Sequence, residues 1–119
     1  MKILVAEDEA ITQKMLEMRL LKDGHEVFLA WDGRQALEQI AAYCPDLIIT
    51  DIMMPYASGL EIIGMVRKQA GKRTPIIILS AMGQEDVVLE AFQLGADDFI
   101  TKPFSPNELS VRVKRFITR

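Results

Sequence analysis

The sequence predicts a single α/β domain whose parallel sheet is covered by helices on both faces, and three observations predict it. Short apolar runs rich in β-branched residues alternate with helix-like segments five times along the chain. Each run is apolar at nearly every position, as strands buried on both faces are. The chain has 119 residues, 50% of them hydrophobic, which suits one core and one domain.

Ile3 to Ala6 is the first run, followed by Glu7, Asp8 and Glu9 and a helix in which Ile11, Met15, Met18 and Leu21 recur at helical spacing. Asp23-Gly24 ends that helix. Val27 to Ala30 is the second strand, Asp32-Gly33 a turn or cap, and Ala36, Leu37, Ile40 and Ala41 the apolar face of a second helix that stops before Pro45. Leu47 to Thr50 is the third strand, with Asp51 where it ends. Pro55 and Gly59 stiffen the outgoing loop before a third helix from about Leu60 to Gln69. Gly71 to Thr74 is polar turn material, and Ile76 to Leu79 is the fourth strand, ending at Ser80. Asp86 to Leu94 is the fourth helix, and Gly95 stops it. Phe99 to Thr101 is a short fifth strand running into Lys102-Pro103, and Asn107 to Thr118 is the last helix, with Ser105 or Pro106 near its start. Parallel strands need right-handed helical crossovers, so the alternation implies a doubly wound parallel sheet. At this length the default is the flavodoxin-like (βα)5 order 2-1-3-4-5.

The net charge of −3 argues against a basic nucleic-acid-binding face, although the end of the chain, VRVKRFITR, is locally basic. One cysteine, Cys44, permits no internal disulfide; in an apolar setting it is expected to be packing, in a reducing cytoplasmic compartment. The apolar run in MKILVAEDE is too short for a signal peptide, and no run reaches the length needed to cross a membrane. The expectation is one domain over residues 1–119 with no output domain in this chain.

In the 2-1-3-4-5 order, four strand ends bring Glu7-Asp8, Asp51, Ser80 and Lys102 to one edge of the sheet, where open α/β sheets keep their chemistry. Converging carboxylates repel one another by roughly 4 kcal/mol per pair at about 4 Å and an effective dielectric near 20. Either one of them stays protonated with a raised pKa, or a cation sits among them. Oxygen ligands with room for water suit Mg²⁺ better than zinc or copper, which favour His or Cys. An ammonium, a hydroxyl and a metal around a carboxylate make a receptor for a phosphoryl group on that carboxylate, because such transfers depend on positioning and charge neutralisation.

These motifs resemble those of the receiver domain of bacterial two-component response regulators: VAEDE after the first strand, DIMMPYASG after the third, LSA after the fourth and DDFITKPF at the fifth. The resemblance covers essentially the whole chain. It implies that Asp51 is the phospho-acceptor and that Mg²⁺, or Mn²⁺, is held by Asp8 directly, by Glu7 mainly through water, by Asp51 and by the main-chain carbonyl of Met53. It further implies that Ser80 and the Ala81 amide bind phosphoryl oxygens, that Lys102 pairs with another, that the Lys102-Pro103 bond is cis, and that Phe99 turns inward when Ser80 is drawn to the phosphoryl group. Glu7 stands where Asp is the commoner residue. The implied partners are a histidine kinase and an output domain or downstream protein, with no direct nucleic-acid contact by this segment and no membrane.

Each residue has a plainer role when taken alone. Glu7-Asp8 would cap a helix, Ser80 would bond locally at a strand end, and Lys102 would be a solvated lysine. Their arrival together at four strand ends favours the functional reading. A flavin-binding protein of this fold would need Ser, Thr and Gly amides where Glu7-Asp8-Glu9 would repel a phosphate. A phosphatase with an aspartyl nucleophile would want a second acid where Met53 stands. The rival that remains is a receiver-like interaction module that takes no phosphate.

Two further expectations concern behaviour. Met53 and Met82, beside the site, cannot orient a hydrolytic water, so an aspartyl phosphate here should decay slowly. The fourth helix carries Val87, Val88, Leu89, Ala91, Phe92 and Leu94, a wider apolar arc than one core face buries. With Leu109, Val113, Phe116 and Ile117 facing the core from the fifth helix, Val88, Phe92 and Val111 are expected to form an exposed patch on the fourth helix, fifth strand and fifth helix. Asp97, Asp98, Glu108, Arg112 and Arg119 would surround it. By resemblance to receivers attached to winged-helix DNA-binding domains this is a homodimer face, in which Asp98 meets Arg112 and Asp97 meets Arg119 of a second copy, while the basic partner of Glu108 is replaced by Val88.

Overall fold

The computed structural model describes residues 1–69 and 71–117. Strands β1 (Lys2–Ala6), β2 (Glu26–Ala30), β3 (Leu47–Asp51), β4 (Ile76–Ser80) and β5 (Asp98–Thr101) alternate with helices α1 (Ala10–Lys22), α2 (Gly33–Tyr43), α3 (Gly59–Lys68), α4 (Glu85–Leu94) and α5 (Pro106–Lys114). All pairings are parallel, in the order β2-β1-β3-β4-β5. The fold class and strand order are those the sequence predicts.

Alternate residues of β1 to β4 feed two cores, while β5 gives Ile100 to one of them. Leu4, Ala6, Ile48, Ile76 and Ile78 pack under α2, α3 and α4 through Ala36, Ile40, Ile62, Ile63 and Ala91. Ile3, Val5, Leu47, Ile49, Ile77 and Leu79 pack under α1 and α5 through Leu16, Leu20, Leu109 and Val113. Each fully buried Leu or Ile contributes about 1.5–3 kcal/mol of transfer free energy, so the central strands dominate stability.

Side-chain caps start three of the helices. Asp32 accepts from the Gln35 amide, Ser105 accepts from the Glu108 amide, and Ser58 with Glu61 makes a reciprocal capping box. Two glycines allow close approaches beside the site. A Cβ on Gly59 would lie 2.6 Å from the Asp51 carbonyl oxygen, and one on Gly33 would lie 2.0 Å from the Ala57 carbonyl oxygen. The Gly33 amide also donates to the Pro55 carbonyl at 3.1 Å, so the β3–α3 loop is gripped between the first turn of α2 and the end of β3.

Several sequence expectations are corrected. The α1 row Ile11, Met18 and Leu21 faces outward, with Ile11 83% exposed, while Gln13, Leu16 and Leu20 take the core side. The helix carries two apolar rows, and only one can meet the sheet. Helix α5 ends at Lys114; Ile117 is exposed, while Phe116 is half-buried against the core. Thr118 lies outside the described residues. Cys44 is exposed in the left-handed conformation that ends α2, with φ of 48°, rather than packed inside. No helix among the described residues is long and apolar enough to cross a membrane.

Candidate functional site

The carboxyl ends of β1, β3, β4 and β5 bring the expected residues to one edge. Asp51 is the last residue of β3 and is buried. Glu7 follows β1 and is fully buried, whereas Asp8 beside it is exposed to solvent. Carboxylate oxygens of Glu7, Asp8 and Asp51 all lie within 4.8 Å of one another. The Lys102 ammonium lies 2.5 Å from Asp51 Oδ2 and 2.8 Å from Glu7 Oε1, tying β5 to β3 and β1 through charge.

Backbone geometry fixes each of these groups. The Lys102 amide donates to the Ser80 carbonyl at 2.7 Å, and the Lys102-Pro103 peptide is cis, as the resemblance implies. Ser80 is buried at the end of β4, opposite Thr101 in the sheet register. The Met53 amide donates to Asp51 Oδ1 at 3.1 Å, folding the loop back over the strand end. Thr50 Oγ1 donates to the Asp51 carbonyl at 3.0 Å. The Ala81 amide donates to Gln84 Oε1 at 2.7 Å.

Electrostatics at this edge are unbalanced. Burial pushes Glu7 up to about 7, and the negative charge of Asp51 adds to that, although Lys102 and the Glu9 amide oppose it. Burial works to lower the Lys102 ammonium, but the combined hold of Asp51 and Glu7 outweighs it and keeps the group above its ordinary value. Nζ meets Glu7 Oε1 as an ion pair at 2.8 Å, yet this buried oxygen has no well-formed hydrogen bond among the described residues. A buried carboxylate oxygen without a bond is costly unless a proton or a cation completes it. With all-oxygen donors and an open side at Asp8, the set fits a hard divalent cation that keeps part of its water.

The structure separates the expected output-face residues. Phe92 and Val111 are exposed, and Phe99 is turned outward with its ring edge-on to Phe92 at 5.9 Å. Val88 is not part of that patch: it lies one helical turn from Ala91 on the side of α4 that packs on the sheet, and both are buried. Leu89, 62% exposed, takes its place. The acids are engaged within the chain rather than free to meet a second copy. Asp98 is buried and pairs with Arg112 at 2.9 Å and with Arg115 at 2.8 Å, and Asp97 pairs with Arg67 at 2.8 Å and Arg73 at 2.7 Å. Glu108 lies 3.8 Å from Arg112 on the same helix. Arg119 lies outside the described residues.

Two residues at the site went unremarked in the sequence. Gln13 is buried, and its Nε2 donates to the carbonyls of Glu7, at 2.9 Å, and Ala30, at 3.2 Å, holding the chain where β1 gives way to the acids. The sequence held little signal for it, because the Leu16–Leu20 row it shares competes with Ile11, Met15 and Met18 for the core. Gln84 gave none, because its bond closes a turn whose shape depends on Gly83 at φ +88°.

Comparison with known proteins agrees with this geometry. Residues 3–114 match the family model described as response regulator receiver domain. The chain is 40% identical over 118 residues to the alkaline phosphatase synthesis transcriptional regulatory protein PhoP of Bacillus subtilis, covering 99% of this chain and 49% of that protein. It spans about half the length of the curated relatives it matches. Among solved structures, the Francisella response regulator 1452 receiver domain superposes with a TM-score of 0.90 at 37% identity, covering 99% of this chain and 97% of that one. The chemotaxis response regulator CheY4 of Vibrio cholerae does so with a TM-score of 0.88 at 34% identity, covering 97% of each chain. With five parallel strands in the same order and the same fold, this chain belongs to the response regulator receiver domains, the phospho-accepting switches of two-component systems.

Proposed function

We propose that Asp51 is the residue that accepts the phosphoryl group, and that the observation carrying this is the Lys102 ammonium held 2.5 Å from its Oδ2 beside Glu7 and Asp8. A carboxylate oxygen of Asp51 attacks phosphorus, the bond from phosphorus to the imidazole of a kinase phosphohistidine breaks, and the imidazole departs with that electron pair. Lys102 then exchanges its Asp51 contact for a phosphoryl oxygen, while the Ser80 hydroxyl and the Ala81 amide bind others. Asp8, Asp51 and the Met53 carbonyl would hold Mg²⁺, or Mn²⁺, with Glu7 acting mainly through water. The bound ion supplies charge neutralisation on the phosphoryl oxygens. The domain catalyses only its own modification. Incubation with acetyl phosphate and Mg²⁺ should add one phosphoryl group per chain, mapped by mass spectrometry to Asp51; no Mg²⁺-dependent labelling would favour the interaction-module reading.

The kinase docks, on this reading, over the outward row of α1. That helix leaves directly from Glu7-Asp8-Glu9, and Ile11 lines a cleft shared with Lys102 and Phe104. Ile11, Met15 and Met18 with Lys14, Lys22 and Pro106 form a second, largely apolar groove alongside. An exposed apolar stripe of this kind suits another helix. Met18→Asp is expected to slow phosphotransfer from the kinase by about 10-fold or more, as loss of an interface anchor does, while leaving acetyl phosphate labelling intact. Equal loss in both assays would remove the docking face.

The phosphorylated form should be long-lived, since Met53 and Met82, 57% and 80% exposed at the rim, offer a hydrolytic water only a weak thioether acceptor. Met53→Asn or Met82→Lys is expected to hasten decay; an unchanged or slower rate would refute this.

Output runs through α4, β5 and α5 to an attached domain, a separate protein or a second copy of this chain. Because Asp97 and Asp98 are paired within the chain, a homodimer here draws its affinity from Leu89, Phe92 and Val111. In sedimentation with beryllofluoride and Mg²⁺, Phe92→Asp should abolish any dimer the wild type forms. A dimer that survives that change lies on another face.

A further inference from the structure

Gln84 is the residue from which α4 springs, yet its side chain makes no capping bond to that helix. It turns back instead, and its Oε1 accepts the Ala81 amide proton at 2.7 Å. Gly83, at φ +88°, supplies the left-handed step that lets the chain fold back so tightly. Ala81 directly follows Ser80, whose carbonyl is held by the Lys102 amide at 2.7 Å, so the Ala81 amide belongs to the same rigid edge as the ammonium on Asp51. A backbone amide has one proton to give. A strong bond to Gln84 and a strong bond to an oxyanion on Asp51 therefore exclude each other.

We propose that Gln84 is a positioning residue that competes internally for the Ala81 amide: it holds the Ala81–Gln84 turn closed while Asp51 is free and must release it when a phosphoryl oxygen takes that donor. This rests on the reading of Ala81 as a phosphoryl-binding amide. Two consequences follow physically. The competition lowers affinity for the phosphoryl group, because a bond must be broken before one is made. Release also unties the start of α4, whose outer face carries Leu89 and Phe92. Ser80, Ala81, Gln84, Phe92 and Phe99 line one cleft of about 460 Å³, so the turn, the switch residues and the exposed α4 surface are contiguous.

The test is a titration of wild type, Gln84→Ala and Gln84→Glu with beryllofluoride in the presence of Mg²⁺, followed by backbone amide NMR. Gln84 is half-buried at a loop end, so the variants should fold. Gln84→Ala is expected to bind the mimic about 3- to 10-fold tighter, the factor that one net hydrogen bond supplies, and to show faster hydrogen exchange at the Ala81 amide in the free protein. Gln84→Glu keeps the acceptor and adds a negative charge beside the anion, so it should bind more weakly than wild type. If wild type binds and Gln84→Ala binds equally or less tightly, the competition is absent and the proposal falls alone. If wild type shows no Mg²⁺-dependent binding, the phospho-acceptor reading fails and takes this proposal with it.

Discussion

Asp51→Asn is expected to abolish Mg²⁺-dependent labelling by acetyl phosphate without unfolding the domain. The amide is nearly isosteric and its oxygen can still accept from the Met53 amide, so the loop contact at 3.1 Å survives. What disappears is the nucleophile and one of the two carboxylates that hold Lys102. Lys102 then serves Glu7 alone, and since Asp51 helps to raise Glu7, the Glu7 carboxyl should titrate lower in the variant. Folding stability at neutral pH should consequently be unchanged or higher, because a buried like-charge contact has been removed. Mass spectrometry and thermal melting test the two halves separately. Labelling retained at another residue would sink the assignment of Asp51, and a collapsed melting temperature would mean that the carboxylate is chiefly structural. Lys102→Met provides the complementary case, with phosphorylation slowed by about 10²–10³-fold, the usual cost of losing a preorganised charge.

The strand runs were legible because β1, β3 and β4 are buried on both faces, so Ile3–Ala6, Leu47–Thr50 and Ile76–Leu79 carry the apolar signal at nearly every position, Thr50 being the exception. The acids and Lys102 were legible for a related reason: parallel topology sends all strand ends the same way, so residues placed just after strands meet at one edge. Helix faces were harder. In α1 the row Ile11, Met15, Met18 is as periodic as the row Leu16, Leu20, and only tertiary packing chose between them. Val88 misled for the same reason on α4, where apolar residues nearly encircle the helix. Charge pairing was the least readable. Asp97 and Asp98 found Arg67, Arg73, Arg112 and Arg115 in their own chain, and the Arg67 and Arg73 contacts come from 30 and 24 residues away in sequence, beyond the reach of local pattern.

Removing divalent metal should make the stability of this domain fall as pH rises from about 5 to 8. Glu7 sits near 4.5 when unfolded and is pushed up to about 7 by burial in the fold. A carboxyl raised in this way stabilises the fold most below the lower value, where both states are protonated, and that contribution is lost as pH climbs through about 7, where the folded state must bury a charge. Each pH unit of that interval costs at most about 1.4 kcal/mol, and the Lys102 contact offsets part of it, so the melting temperature should fall by several degrees. Mg²⁺ bound to the ionised acids reverses the trend, because it favours the form that burial penalises. The rise in melting temperature on adding Mg²⁺ should accordingly be larger at pH 8 than at pH 6. Glu7→Gln separates this from general charge effects: it keeps the shape and removes the Glu7 titration, so metal-free stability should no longer fall with pH and should rise slightly as pH passes the ordinary range of His25, which burial lowers, while the response to Mg²⁺ weakens. A wild-type melting temperature that stays level from pH 5 to 8 in the presence of a chelator would show that Lys102 alone satisfies Glu7, and that the unbonded Oε1 is not what draws the cation in.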